Sequence, residues 1–316
     1  MADSTIKKSD KRWQSDVIVD MIKRYGFEHI ALNPGASYRG LHDSLVNYGE
    51  NDPPMILCQH EKIAVQIAHG YARVKGKPMI AIVHNLVGLL HAPMGVYYSY
   101  LDRAPVFIMG ATGPLAEPKR RPFIDWIHTA NVQGEAIRNF VKWDYQPSTV
   151  DGIPGAFARA YSVMMSARQG PVYQCYDAGL QEAELDHDVE MPPAGSAIVP
   201  TAPSPDPAAL IKAADTLAGA NRVAIIADFA ARPPHGWSHI VEIAETLGAS
   251  VWDVGSRLNF PGDHPLNLTS DFDGCYDGVD VVLTLDIADF EKPTHTRDIA
   301  TRTVVCKVQA NATWID

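Results

Sequence analysis

Residues 58–71, CQHEKIAVQIAHGY, and the strand-like run MIAIVHN at 79–85 decide how the rest of the chain reads. A short apolar run at 55–58 ends just before Glu61. Ile63, Ile67 and Tyr71 then fall four apart, with Ala64 and Ala68 beside them. That spacing predicts one broad helical face of small or apolar side chains. A face rich in Ala can lie close against another backbone. Glu61 is therefore expected as a carboxylate at the entry to a buried helix, where such a group is neutralised, protonated or committed to a partner. The plainer alternative is an acid favourably placed at the positive end of a helix dipole. Spacing alone favours that alternative.

The same logic extends outward. Residues 15–25 read as an amphipathic helix, with Val17, Ile18, Met21 and Ile22 on one side and Asp20, Lys23 and Arg24 on the other. Gly26 ends it, 27–32 is a short strand, 33–37 (NPGAS) a turn and 40–48 a second helix. Strand, polar turn and helix make the unit of a parallel sheet, whose turns at the C-terminal strand ends build ligand sites. The rhythm repeats at 55–58 with its helix, and at 79–83 followed by HNLVG at 84–88. A helix is expected over 89–101 with His91 in its first turn, then a strand at 106–110, a basic Pro-containing loop at 112–122 and a short helical segment at 123–130. A brief strand at 141–143, a helix at 153–167 and a buried strand at 170–175 close the unit. Strands alternating with helices predict an α/β fold with a doubly wound parallel sheet.

From 185 to 207 the composition shifts, with Pro192, Pro193, Pro200, Pro203, Pro205 and Pro207 in a polar stretch without periodicity, which reads as a linker. A second α/β alternation follows: helix 207–217, strand 223–227, helix 237–247, strands 251–254, 279–285 and 303–308, with a loop at 255–268.

Length and composition agree. The 316 residues are 46% hydrophobic, enough for two domains with sizeable cores. A formal net charge of −10 argues against nucleic acid or an anionic membrane as partner. No apolar run reaches the roughly eighteen residues of a membrane span, and the polar start, MADSTIKKSDKRW, has no apolar signal core. The four cysteines, Cys58, Cys175, Cys275 and Cys306, show no CxxC spacing. Reduced structural thiols and a cytoplasmic protein are the expectation.

Residues 60–73, HEKIAVQIAHGYAR, match the pattern HExxAxxxAxGYAR. The stretch resembles the start of the pyrimidine-binding domain of thiamine diphosphate enzymes, in the branch of acetolactate synthase, benzoylformate decarboxylase and benzaldehyde lyase. The likeness runs over about the first 180 positions, and VKWD at 141–144 with QGPVY at 169–173 resembles the family's domain-closing pattern. It implies a pyrimidine-binding domain at 1–184, a linker at 185–207 and a Rossmann-like middle domain at 208–316, incomplete, each domain a doubly wound parallel sheet.

The resemblance also implies a chemistry. Thiamine diphosphate is activated when a carboxyl protonates N1′ of its aminopyrimidine, in a site poor in water that raises the carboxyl's pKa. It assigns that role to Glu61, as catalytic and cofactor-binding residue. His84 matches the acid–base histidine of the benzoylformate decarboxylase branch, a residue type that gives and takes protons near neutrality. Gly35, Asn85 and Gly88 are implied in the cofactor site, and Ala36, Ser37, His84 and Asn85 in the substrate pocket, where the small Ala36 leaves room and supplies no hydroxyl. The family's GPG turn departs here to Leu86-Val87-Gly88, which leaves the substrate class open. The implied substrate is a small 2-oxo acid or a 2-hydroxy ketone or acyl compound, and the reaction is decarboxylation, lyase cleavage or carboligation. A non-catalytic or regulatory relative that works only as an assembly partner is the alternative.

The family's GDG motif with a later Asn, which binds diphosphate and Mg²⁺, does not occur; GDH at 262–264 and DG at 273–274 are not that motif. The expectation is that this chain is half of a catalytic unit, in a homo- or hetero-oligomer whose other chain carries the diphosphate domain. Some relatives hold a flavin or adenine nucleotide near the middle domain, but no glycine-rich phosphate loop follows a strand here. His60 reads as flanking the pocket. Arg120, Arg121, Asp125, Trp126 and His128 read as a subunit contact or gate, against a solvated loop with local ion pairs. No metal site is expected, since His84, His91 and His128 lack ligand spacing.

Overall fold

A computed structural model of the chain describes residues 10–193, 198–200, 204–231, 236–271, 275–288 and 304–308, with Ser256 and 304–308 as backbone alone. Residues 1–9, Pro203, the 273–274 pair and Thr303, all invoked above, lie outside the described residues. The chain divides into two units, Met1–Thr201 and Ala202–Asp316. In the stretch read as a linker, Val189 is buried in the first unit's core and Leu185 and Met191 pack against it.

The first unit holds strands β1 (Ile30–Leu32), β2 (Met55–Leu57), β3 (Met79–Ile82), β4 (Val106–Thr112), β5 (Asp144–Tyr145) and β6 (Val172–Asp177). They form one sheet in the order β2-β1-β3-β4-β6-β5, parallel at every pairing. The helices are α1 (Gln14–Arg24), α2 (Arg39–Asn47), α3 (Glu61–Lys75), α4 (Val87–His91), α5 (Pro93–Leu101), α6 (Ile124–His128), α7 (Gly152–Met165) and α8 (Ala178–Gln181).

Side-chain parity along the strands sorts the core. Ile30, Leu32, Ile80, Ile82, Phe107 and Met109 face one cluster with Val17, Ile18, Met21 and Phe157 of α1 and α7. Ala31, Met79, Ala81, Val83, Val106 and Ile108 face the other, with Ala64, Val65 and Ala68 of α3 and Val96 of α5. Alternate residues point to opposite faces of a strand, and a parallel sheet covered on both faces is apolar throughout. All seven residues of β4 are buried accordingly.

Two details differ from the spacing argument. The buried stripe of α3 is Glu61, Ala64, Val65, Ala68 and Ala72; Ile63 is 46% exposed, and Ile67 and Tyr71 only border the core. The sheet presents Ala31 and Ala81 on this side, so the helix seats its small residues there and turns its larger ones outward. The helix expected over 89–101 is two helices, because Pro93 opens α5 without an N–H to donate. His91 therefore ends α4 instead of standing in a first turn. The short strand expected at 141–143 falls at Asp144–Tyr145.

The second unit pairs β7 (Val223–Ala227), β8 (Ser250–Asp253), β9 (Val281–Leu285) and β10 (Val304–Val308) in the order β10-β9-β7-β8, again all parallel. Helices α9 (Pro207–Ala218) and α10 (Gly236–Leu247) belong to it. Its core joins Val223, Ile225, Ala227, Ile240, Ala244, Val251, Phe260 and Leu283. The fold is α/β with two parallel sheets. No helix among the described residues is long and apolar enough to cross a membrane.

Candidate functional site

Strand order locates the site. The chain leaves β1 for β2 on one side and returns to β3 on the other. Where strand order reverses, the turns diverge and open a crevice at the C-terminal strand ends. Three segments arrive there: residues 33–38 after β1, Glu61 after β2, and His84–Gly88 after β3.

Glu61 is the first residue of α3 and is 5% exposed. The helix is capped by its neighbour: the His60 ring accepts the Lys62 N–H through Nδ1 at 3.1 Å. Glu61 is therefore not spent on the helix end. Its carboxylate has no hydrogen-bond partner among the described residues; the nearest cationic side chain is His91, whose Nδ1 lies 3.8 Å from Oε2. That separation is too long for a hydrogen bond. His91 stacks on His60 with centroids 5.1 Å apart and planes at 9°, both rings exposed. A Cβ on Gly88 would sit 2.5 Å from Glu61 Oε1 and 2.8 Å from the Cβ of His84, so only glycine lets the carboxylate pass. Burial first, and then the charge of Glu61, raises the Tyr38 phenol above its usual range. An unpaired buried carboxylate is costly to keep.

His84 is half-buried at the end of β3. Its Nδ1 lies 2.9 Å from Ser37 Oγ, which also accepts the Asn85 N–H at 3.0 Å. A Cβ on Gly35 would come within 2.6 Å of the His84 ring, so only glycine leaves room for the imidazole there. Burial lowers the His84 pKa, helped by the nearby His128 and Arg121 and opposed by Glu61. The ring is neutral at pH 7. Asn85 donates through Nδ2 to the His128 carbonyl at 3.0 Å, while its buried Oδ1 has no partner. The side chain of Ala36 is exposed at the rim, whereas Ser37 is buried.

Glu61, His84, Gly35, Ser37, Asn85 and Gly88 thus converge. Gln133 joins them without any sequence signal. Buried at the start of the short 3₁₀ helix Gln133–Ala136, it accepts the Leu86 N–H at 2.9 Å through Oε1 and donates to the Ala111 carbonyl at 3.1 Å. It holds Leu86 at φ 25° and ψ −66°, a strained backbone for a branched side chain. A lone Gln outside any periodic pattern gives sequence reasoning nothing to find.

The patch at 120–128 has a buried anchor. Asp125 is buried and Arg121 grips it with Nε at 3.1 Å and Nη2 at 3.0 Å. Burial pushes the Asp125 carboxyl up, but hydrogen bonds and charge from Arg121 bring it below the usual range. Arg120 lies over Trp126 at 4.7 Å, and Phe123, Trp126 and Ile127 are exposed. Among the described residues no group of three or more His, Cys, Asp or Glu side chains is placed to hold a metal ion.

Comparison with known proteins bears on the family and the fold. Residues 12–133 match the family described as thiamine pyrophosphate enzyme, N-terminal TPP binding domain. The chain is 30% identical over 159 residues to the acetolactate synthase large subunit of Lactococcus lactis, covering 50% of this chain and 26% of that protein. It is 27% identical over 260 residues to a probable 2-ketoarginine decarboxylase of Pseudomonas aeruginosa, covering 79% and 43%. The chain thus spans less than half the length of either relative. Among solved structures, benzoylformate decarboxylase from Polynucleobacter necessarius superposes with a TM-score of 0.73 at 22% identity, over 95% of this chain and 56% of that one. A putative thiamin diphosphate-dependent enzyme from Mycobacterium smegmatis gives 0.69 at 23% identity, over 87% and 52%. At such identities the structures speak for the fold alone.

Proposed function

Since this chain belongs to the thiamine diphosphate-dependent enzymes through its N-terminal domain, we propose that it holds and activates the aminopyrimidine end of that cofactor. The reaction is the making or breaking of a C–C bond beside the carbonyl of a small 2-oxo acid or 2-hydroxy ketone. One observation carries the reading: the buried Glu61 carboxylate, free of hydrogen bonds among the described residues, at the reversal point of the sheet.

The residues fit an aminopyrimidine. Glu61 lacks a ring nitrogen to share a proton with, and Asn85 Oδ1 lacks a donor. Gly35 and Gly88 keep side-chain atoms out of the space beside His84 and Glu61. When bound, thiamine diphosphate supplies a thiazolium carbon that adds to the substrate carbonyl and accepts the electrons of the broken bond. Glu61 holds the proton shared with N1′. His84 faces the substrate side with an uncharged ring and serves the substrate oxygen through Nε2.

The similarity to both a synthase and a decarboxylase supports a C–C lyase, carboligase or decarboxylase and does not choose among them. The diphosphate and its Mg²⁺ belong, in this reading, to a second domain contributed within a homo- or hetero-oligomer.

The test reads the cofactor itself. The protein, with whatever chains accompany it, is given thiamine diphosphate and Mg²⁺ in D₂O, and deuterium exchange at the thiazolium C2 is followed by NMR. Exchange faster than in free cofactor, lost in Glu61→Gln, is the expected result. Equal exchange in the variant removes Glu61 from the role, and no exchange at all leaves the fold as an assembly partner.

A further inference from the structure

The sequence assigned Ser37 to substrate, but its hydroxyl is engaged inside the protein. It sits between the Asn85 backbone N–H, at 3.0 Å, and His84 Nδ1, at 2.9 Å. We propose that Ser37 is a positioning residue that fixes His84 as the Nε2–H tautomer, so that the neutral ring meets substrate as a hydrogen-bond donor. This rests on the function proposed above for the direction of Nε2, but not for the tautomer.

The tautomer follows from a count of protons. A backbone N–H only donates, so it occupies one lone pair of Ser37 Oγ. The hydroxyl proton then needs an acceptor. Ser37 is 1% exposed, and among the described residues the only acceptor at Oγ is His84 Nδ1. The Oγ–H therefore points at Nδ1, Nδ1 carries the lone pair, and the ring proton is on Nε2. In the other tautomer two N–H groups would face Oγ and the buried hydroxyl proton would have no acceptor, which disfavours it by about tenfold or more.

The surroundings keep the arrangement from relaxing. The Ser37 backbone is held in place, because Gln181 Nε2 donates to its carbonyl at 3.2 Å and to the Tyr176 carbonyl at 3.1 Å. The same Gln181 accepts the Leu41 N–H through Oε1 at 3.2 Å. The imidazole cannot tilt, because Gly35 lies against it. His128, Arg121 and Glu61 are the charged or titratable groups that act on the ring. Nε2 has no hydrogen-bond partner among the described residues, so its proton is available to a carbonyl or carboxylate oxygen. A neutral imidazole used in this way polarises an oxygen without giving up its proton. To act as a base at Nε2 the ring must first change tautomer, with the Ser37 hydroxyl rotating to accept from Nδ1–H.

The experiment is two-bond ¹H–¹⁵N NMR of the protein labelled at histidine nitrogens, near neutral pH, with His84 assigned by its loss in His84→Gln. The expected spectrum has Nδ1 in the unprotonated range and Nε2 in the protonated range. Ser37→Ala should shift the two nitrogens toward intermediate values, and Ser37→Thr, which keeps the hydroxyl, should restore the wild-type pattern. With a 2-oxo acid substrate, Ser37→Ala should lower kcat/KM about tenfold. A wild-type ring protonated at Nδ1 overturns the proposal, as does an unchanged spectrum in a folded Ser37→Ala. If Ser37→Ala does not fold, the wild-type spectrum decides alone. A correct tautomer with no cofactor exchange sinks the functional reading and spares this one; exchange with the wrong tautomer does the reverse.

Discussion

Both sheets end in buried acids at their C-terminal edges, and the two units treat them in opposite ways. In the second unit Asp253 accepts the Asn259 N–H at 3.0 Å, the Asn259 side-chain amide at 2.7 Å and the Arg257 N–H at 3.2 Å. The fully buried Asn259 also donates to the Ala227 and Asp228 carbonyls and accepts the Ala231 N–H. Asp253 ties the 253–259 segment to the end of β8. In the first unit Glu61 has only His91, 3.8 Å away. Burial alone does not distinguish a site from a brace; the state of the acid's hydrogen bonds does. A satisfied buried carboxylate stabilises the loop that satisfies it, while an unsatisfied one is retained against stability for a ligand to complete.

The sharpest way to break that contrast is to neutralise Glu61. Glu61→Gln should lower turnover by about 10²–10⁴-fold, and its urea midpoint should stay level or rise because the side chain has no hydrogen bond to lose. A folded variant that keeps wild-type turnover, or one that loses stability, ends the distinction. Next in size is the brace. Asp253→Ala leaves the Arg257 and Asn259 N–H groups unmet and should cost the second unit about 1–3 kcal/mol, read as faster amide exchange in β7, β8 and β9. If Asp253→Ala is neutral and Glu61→Gln is not, the roles assigned here are reversed.

How much of this was legible beforehand follows the range of the interactions. Alternating apolar runs declared both sheets, because strand burial is written locally in residue type: 223–227 was read from its apolar run and is β7 as drawn. Glu61 and His84 were found because each follows a strand within a recognisable stretch. The buried face of α3 was misjudged, since Ala31 and Ala81, distant in sequence, decide that small side chains must face the sheet. The break at Pro93 was local and available, but the apolar run on either side masked it. Gln133, Gln181 and the engaged hydroxyl of Ser37 were out of reach, because their partners lie 47 and 144 residues away in the chain for the Leu86–Gln133 and Ser37–Gln181 bonds.

The seam under α3 offers a middle-sized test. Ala68 in the first unit and Ala244 in the second are both fully buried between a helix and a parallel sheet. Leucine at either position overpacks its seam and should cost about 1–3 kcal/mol. Only Ala68→Leu lifts the helix whose first residue is Glu61, so only it should also weaken thiamine diphosphate binding, measured by calorimetry. Equal binding by the two variants would mean that the seat of α3 does not set the position of the carboxylate.

The smallest effect belongs to His84, and its sign is fixed by the direction of its shift. Burial, with His128 and Arg121, puts the folded pKa below the ordinary 6.5. Between the two values the unfolded chain binds the proton and the folded chain does not, so stability rises with pH across that window. The contribution is complete above about pH 6.5 and is lost as pH falls through the folded value. His84→Gln removes the group. Its urea midpoint should therefore fall less than that of the wild type as the buffer is taken from neutral to mildly acidic. Parallel curves for the two proteins would mean that the ring is as well solvated folded as unfolded. The site would then lack the dry environment that an unpaired Glu61, a few atoms away across Gly88, requires.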